Sequence, residues 1–261
     1  MPRPSVARLT PARADRARGG AGRAAAFVVM GAGVSAALHL GKLAPAVPAL
    51  RESLGIGLVE AGFLLSLVQV AGMTLGLAVG LMADTIGLRR SMLAGLVLVT
   101  LAGGAGGLVQ PGDHALALLL ALRALEGVGF LLAVMPGPGL IRALAPPEAE
   151  KAAMGLWGAY MPVGVALALL VGPALIALGG WHGWWWLLSA VSALAAVGVA
   201  LAVPADSRRQ GGKVVAPPAW RSRLSQTWSA AGPRLLGLAF AVYSAQWMAV
   251  IGFLPAIYAD A

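Results

Sequence analysis

What most constrains this chain is a series of long apolar stretches separated by short polar breaks. They occupy residues 24–46, 58–82, 92–109, 115–140, 154–178, 184–203 and 235–257. About 20 residues of α-helix, rising 1.5 Å each, cover the ~30 Å of bilayer hydrocarbon, and each stretch is close to that length. A helix also satisfies its own backbone hydrogen bonds in lipid. The expected fold is an all-α integral membrane protein with the lipid bilayer as its surroundings. Composition agrees: 59% of the residues are hydrophobic and 11% charged, with a mean hydropathy of +0.83, too little polar surface to cover a soluble globule of this size.

Seven crossings put alternate loops on opposite sides, and the cations test that arrangement. Sixteen of the nineteen Lys and Arg fall on one side: the six Arg of residues 1–23, Arg89 and Arg90, Arg142 and Lys151, and the six from Arg208 to Arg234. The exceptions are Arg51, in an opposite-side loop, and Lys42 and Arg123, within spans. By the positive-inside bias the N-terminus is cytoplasmic. The formal charge of +9 therefore reads as topology and not as nucleic-acid binding, since no aromatic residues interleave with the cations. Residues 1–23 read as a disordered cytoplasmic tail, because the apolar run that follows is too long for a signal peptide. Residues 204–233, with Gly211-Gly212, Pro217-Pro218 and a basic cluster, read as a linker. The chain has no cysteine, which excludes disulfides and thiolate metal sites.

Between the second and third stretches runs Gly80-Leu81-Met82-Ala83-Asp84-Thr85-Ile86-Gly87-Leu88-Arg89-Arg90. It reads as a tight turn in which Gly80 and Gly87 allow a sharp reversal, Asp84 places an anion at a helix end, and Arg89 and Arg90 hold the loop inside. This pattern, G-x-x-x-D-x-x-G-x-R-R, resembles the loop motif between the second and third helices of the major facilitator superfamily of secondary transporters. Met82, Thr85 and Leu88 stand where that motif carries a leucine and two basic residues. Leu122-Arg123-Ala124-Leu125-Glu126-Gly127-Val128-Gly129 is similar to the family's fourth-helix signature, with Glu126 where glutamine is usual, and Gly172-Pro173 is similar to part of its fifth-helix motif. Met135-Pro136-Gly137, Met154-Gly155-Leu156-Trp157 and Gly180-Trp181 most resemble the cyanate and nitroimidazole permease branch.

The resemblance implies a six-helix N-terminal bundle over 24–203, the linker over 204–233, and in 234–261 the first helix of a second bundle. It also implies a multi-pass protein of a bacterial inner membrane that works by alternating access between two bundles. One bundle supplies one wall of the site. Partners then include a C-terminal bundle or a second copy, and the chain alone is expected not to transport.

Charges within a bilayer cost ~2.5–3.5 kcal/mol each on insertion scales, so Lys42, Arg123 and Glu126 need reasons to be there. Lys42 and Arg123 fall at similar depth, His39 is one turn from Lys42, and together they suit a small anion. In the resembled family the arginine is linked to coupling, which makes Glu126 a candidate proton carrier. The competing readings are a local Arg123–Glu126 pair, three apart on one helix face, and a Lys42 that snorkels to the outer headgroups. Trp157, Tyr160, Tyr243, Gln246 and Trp247 are candidate cavity residues, or packing. Asp84 and Arg142 are expected to meet at the cytoplasmic face. Gly72, Gly76 and Gly80 form a small-residue stripe, a docking face for another bundle or a contact within the same one. Trp181, Trp184, Trp185 and Trp186 read as an outer interfacial belt.

No phosphate-binding loop, metal-spaced histidine pair or nucleophile constellation is present in the sequence, so an enzyme or ATP-driven machine is disfavoured and no cofactor is expected. The reading is a proton-linked secondary transporter of a small anionic solute. The alternatives are a non-transporting remnant or assembly subunit, and a multidrug exporter of the same fold.

Overall fold

The computed structural model describes residues 11–206, 225–226, 228–243 and 246. It divides into two compact units, 1–207 and 208–261. Among the described residues the first contains eight helices: α1 (Pro11–Gly41), α2 (Leu43–Leu54), α3 (Leu58–Ile86), α4 (Leu88–Gly106), α5 (Ala115–Val134), α6 (Gly137–Leu144), α7 (Glu150–Trp157) and α8 (Tyr160–Ala202). In the second unit an apolar helix covers Ala231–Tyr243. Most of the apolar stretch expected over 235–257 lies outside the described residues.

Among the described residues five segments are long and apolar enough to cross a membrane: Gly20–Leu54, Leu58–Gly76, Leu88–Gly106, Ala115–Leu144 and Tyr160–Ala202. The last, at 43 residues, is about twice what one crossing needs. It is two helices joined at Gly180, whose φ of 66° and ψ of 173° lie outside the helical region. That joint falls in the gap expected between the fifth and sixth spans.

Local chemistry explains the other breaks. Gly55, with φ 67°, closes α2 in a left-handed C-cap, its N–H donating to the Arg51 carbonyl at 3.0 Å. A single residue, Gly87, turns α3 into α4 with φ 103° and ψ 145°, a region a side chain rarely tolerates. Met135 and Pro136 separate α5 from α6. At Pro45 the missing N–H leaves the Gly41 carbonyl without its helical partner, and the first span breaks between α1 and α2 at Lys42.

Three boundaries differ from the sequence reading. Helix α1 continues back to Pro11, into the segment expected to be disordered; the Ala and Arg of residues 12–18 are good helix formers, and Gly19, Gly20 and Gly22 lower the propensity without a proline to break the helix. Arg51 lies on the last turn of α2 and not in a loop. Arg89 and Arg90 begin α4, so the reversal is narrower than the motif's length suggests.

Helix α1 packs along α8, α4 along α5 and α8, and α3 along α5. Two large apolar clusters and a small one of Val79, Leu131 and Leu132 lie in the interior among the described residues. One large cluster gathers Val29, Met92, Leu96, Ala133, Ile141 and Val199; the other gathers Leu43, Leu50, Leu119, Trp181, Trp184 and Trp185. Along the first span the boundary between the two large clusters falls near His39 and Lys42, where the buried charges gather.

Candidate functional site

The break in the first span creates the site. A helix end leaves its last carbonyls unpaired, and at the end of α1 they point at α5. Arg123 meets them: its guanidinium donates to the His39 carbonyl at 2.5 Å and the Leu40 carbonyl at 3.3 Å. It also donates to the Leu64 carbonyl on α3 at 3.3 Å and to Glu126 Oε2 at 2.8 Å. A cation at a helix C-terminus is favourable, and the planar fork reaches several acceptors at once. Arg123 therefore ties the broken first span, α3 and α5 together while itself only 3% exposed.

Lys42 sits in the break and is fully buried. Its ammonium has three N–H groups, which the surroundings can receive: it donates to Glu126 Oε1, lies 3.4 Å from His39 Nδ1, and stands 4.6 Å from the centre of the Trp185 ring. His39 is fixed on its far side, with Nε2 3.3 Å from the Leu188 carbonyl and 3.0 Å from Ser192 Oγ. A carbonyl only accepts, so Nε2 carries the hydrogen and Nδ1 accepts from Lys42. Trp184 Nε1 donates to the Lys42 carbonyl at 3.1 Å.

Glu126 is the centre of this arrangement. One carboxylate oxygen takes Lys42 and lies 3.6 Å from His39 Nδ1; the other takes Arg123. Two cations, one carboxylate and a neutral imidazole leave one net positive charge in the interior. A cavity of about 10 Å³ borders Lys42, Leu64, Arg123, Glu126 and Trp185, at the lower limit for a single water molecule. In this state the cations are closed around Glu126 with no space for a solute.

The structure brings together Lys42, Arg123, Glu126 and His39. Lys42 does not snorkel, because the Glu126 carboxylate receives it inside the protein. The local Arg123–Glu126 pair exists, and Glu126 is shared with Lys42. The outer-belt reading needs correction for three tryptophans. Trp181, Trp184 and Trp185 are buried and line or support the cluster, Trp181 packing edge-on to Trp185, while Trp186 is 48% exposed. Their spacing was the available signal, since positions 181, 184, 185 and 188 share one helix face and 186 points elsewhere.

Other candidates lie apart. Tyr160 stacks on Trp157 at 4.5 Å, and Trp157 fills the space beside Gly33 and Gly137 in the other apolar cluster. Gln246 belongs to the second unit and is exposed, as is Tyr243; Trp247 lies outside the described residues. Gly80 is within α3 beside Met135 Sδ, so it makes no turn, and Gly87 alone makes it. Asp84 is in the last turn of α3 and its side chain lies outside the described ones. Arg142 stands 3.6 Å from Glu150, both exposed. Within the Gly72, Gly76, Gly80 stripe, Gly76 and Gly80 face Met135 of the same unit.

Sequence reasoning missed Asp206. Its carboxylate accepts the backbone N–H groups of Arg89 and Arg90, each at 3.0 Å, and so caps α4 from the far end of α8. Arg89 adds a bond from its guanidinium to the Ala200 carbonyl at 2.7 Å. One signal was present: Asp206 is the single acid in the otherwise basic stretch 204–233. Among the described residues no group of three or more His, Cys, Asp or Glu gathers that could hold a metal.

Residues 23–261 match the sequence profile of the Major Facilitator Superfamily. A stretch of 166 residues is 25% identical to the major facilitator superfamily multidrug transporter mfsC of Aspergillus fumigatus, covering 63% of this chain and 31% of that protein. Another, of 119 residues, is 34% identical to the multidrug resistance protein Stp of Mycobacterium tuberculosis, covering 43% of this chain and 21% of that protein. The matches thus span about a third or less of the length of these relatives.

Proposed function

We propose that this chain, which belongs to the major facilitator superfamily of transporters, forms one wall of a proton-linked pathway for a small anionic solute. Within the family reading, 24–203 is the N-terminal bundle, 204–233 the cytoplasmic linker, and 234–261 the start of the second bundle. The division of the chain between residues 207 and 208 supports that layout. The observation that carries the function is the net positive charge held around Glu126 by Lys42 and Arg123. A bundle that needed only packing would reach lower energy with apolar residues there, because taking two cations out of water is costly even when they are paired. Glu126 and His39 supply the titratable groups a proton-linked carrier requires.

Orientation follows from the cation distribution, with the N-terminus on the cytoplasmic side of a bacterial inner membrane. The cyanate and nitroimidazole permease branch remains the favoured placement on the motifs quoted above. A second reading, a multidrug exporter of the same fold, draws on the similarity to the multidrug transporter mfsC and the multidrug resistance protein Stp. The closed, cationic cluster fits an anion better than a lipophilic cation.

Uptake of labelled formate and nitrate into proteoliposomes under an imposed proton gradient tests this. The chain together with a C-terminal bundle or a second copy is expected to accumulate an anion when the outside is acidic and to lose that uptake when a protonophore is added. Gradient-independent uptake, or movement of tetraphenylphosphonium instead of any anion, would overturn the proposal.

A further inference from the structure

The geometry points to Glu126 as an internal stand-in for the solute: its carboxylate occupies the position on Lys42 that a small monovalent oxyanion takes once Glu126 has gained one proton. This rests on the anion-carrier reading above and specifies how the same site selects and couples.

Of the three groups around the Lys42 ammonium, only the carboxylate is exchangeable. His39 is anchored through Nε2 to the Leu188 carbonyl and Ser192, and Trp185 is packed edge-on against Trp181. Arg123 is not free to leave, because it holds the carbonyls of His39, Leu40 and Leu64. An incoming anion therefore competes for Lys42, while Glu126 keeps its second oxygen on Arg123.

The proton then has a defined place. A proton from solution binds Glu126 Oε1, forming one O–H bond and cancelling the carboxylate charge. That oxygen is 3.6 Å from His39 Nδ1, whose donor, Lys42, turns to the anion. Glu126 O–H replaces Lys42 N–H as the donor to Nδ1, so the imidazole keeps a partner and stays neutral. The groups facing Glu126 are Lys42, His39 and Arg123; the elements α3, α4 and α8 present the Leu64 carbonyl, Gly103 and the side chains of Ser189 and Trp185. No other titratable side chain borders the cavity among the described residues.

Charge counting fixes the solute. One proton with one monovalent anion leaves the cluster at its starting net charge of plus one, and a divalent anion does not. The position filled by the carboxylate selects a ligand with a compact, carboxylate-like end. The cavity of about 10 Å³ beside Lys42 must widen to admit it, which ties anion entry to release of Glu126.

Calorimetric titration of the full chain in lipid nanodiscs with sodium formate, in two buffers of different ionisation enthalpy, reads both parts. The wild-type protein is expected to take up about one proton per formate bound. Glu126→Gln is expected to bind formate about tenfold more tightly, equivalent to about 1.4 kcal/mol, with no proton uptake. Equal affinities, or proton-independent binding by the wild type, would overturn the inference and leave the carrier reading standing. Absence of formate and nitrate binding in both proteins, with Glu126→Gln folded by circular dichroism, would overturn the carrier reading as well. Infrared difference spectra of the wild type need no variant: a protonated carboxyl band is expected on formate addition, and its absence again overturns the stand-in role.

Discussion

Arg123 aims its N–H groups at three backbone carbonyls and one carboxylate, and those acceptors lie on three different elements. A lysine has a single nitrogen at the end of a flexible stem and reaches one of these groups, or two at most. The carbonyls left behind lie in apolar surroundings, where an unmet acceptor costs about 1–3 kcal/mol. Arg123→Lys is therefore expected to lower stability by about 2–4 kcal/mol, seen as a reduced melting temperature in detergent. An unchanged melting temperature would show that the break in the first span does not depend on the fork. This side chain was legible in the sequence as a costly intramembrane cation, and Lys42 and Glu126 were legible for the same reason. Its role as the cap of a broken helix was not, because that requires knowing that Pro45 ends α1 in front of α5. Trp184 and Trp185 were hidden by their type, since indoles at a helix end also suit a membrane interface. Asp206 was hidden because its partners, the N–H groups of Arg89 and Arg90, are more than a hundred residues away in sequence.

Among the elements, glycine placement decides which helices approach closely. The regular stripe on α3 attracts attention in the sequence, yet a methyl group at Gly72 would meet nothing within 4 Å, and at Gly76 it would be in ordinary contact with Met135 at 3.6 Å. The tight crossing is between α4 and α5. A methyl group on Gly95 would lie 2.5 Å from the Gly129 carbonyl oxygen, and one on Gly129 would lie 2.8 Å from Val99 Cγ2. The contact of α1 with α8 is similar, with Gly41 against Ala168 and Gly164 against Ala37. In lipid the attraction between helices is mainly van der Waals contact, so separating backbones at such a crossing loses it directly. Gly95→Ala is expected to destabilise by about 1–3 kcal/mol. Gly72→Ala is expected to be neutral or to stabilise by up to about 1 kcal/mol through helix propensity. Thermal melts of both variants in one detergent check the contrast, and equal losses would refute it. Periodicity located these glycines on helices. It could not say which neighbour each one faces, because that depends on how six apolar segments with similar surfaces sort themselves.

At the scale of the first unit, the polar contacts between the connecting segments collect at two ends. Arg23 is 3.7 Å from Glu148, Arg142 is 3.6 Å from Glu150, and Asp206 holds the start of α4, so the tail, the Gly87 turn, the α6–α7 connection and the end of α8 share one end. At the other, Trp181 Nε1 donates to Ser53 Oγ at 3.0 Å and His182 Nε2 donates to the Val109 carbonyl at 3.1 Å, joining the α2–α3, α4–α5 and Gly180 connections. An even number of crossings places residues 23 and 206 at the same end, as these contacts require once α8 is counted as two. The first end carries Arg23, Arg89, Arg90, Arg142 and Lys151, whereas Arg51 is the cation near the second. A membrane potential, negative inside, and the translocation bias against Lys and Arg both favour keeping the richer end in the cytoplasm. Exposed surface pairs such as Arg23–Glu148 contribute about 0–1 kcal/mol each, so they do not set the orientation by their strength. The proposed orientation rests on the number of cations near the span ends on each side. Alkaline phosphatase fused after Gly211 is expected to be inactive, and fused after Gly112 to be active. Activity at Gly211, or its loss at Gly112, would invert the topology and turn the Asp206 cap toward the outside of the cell.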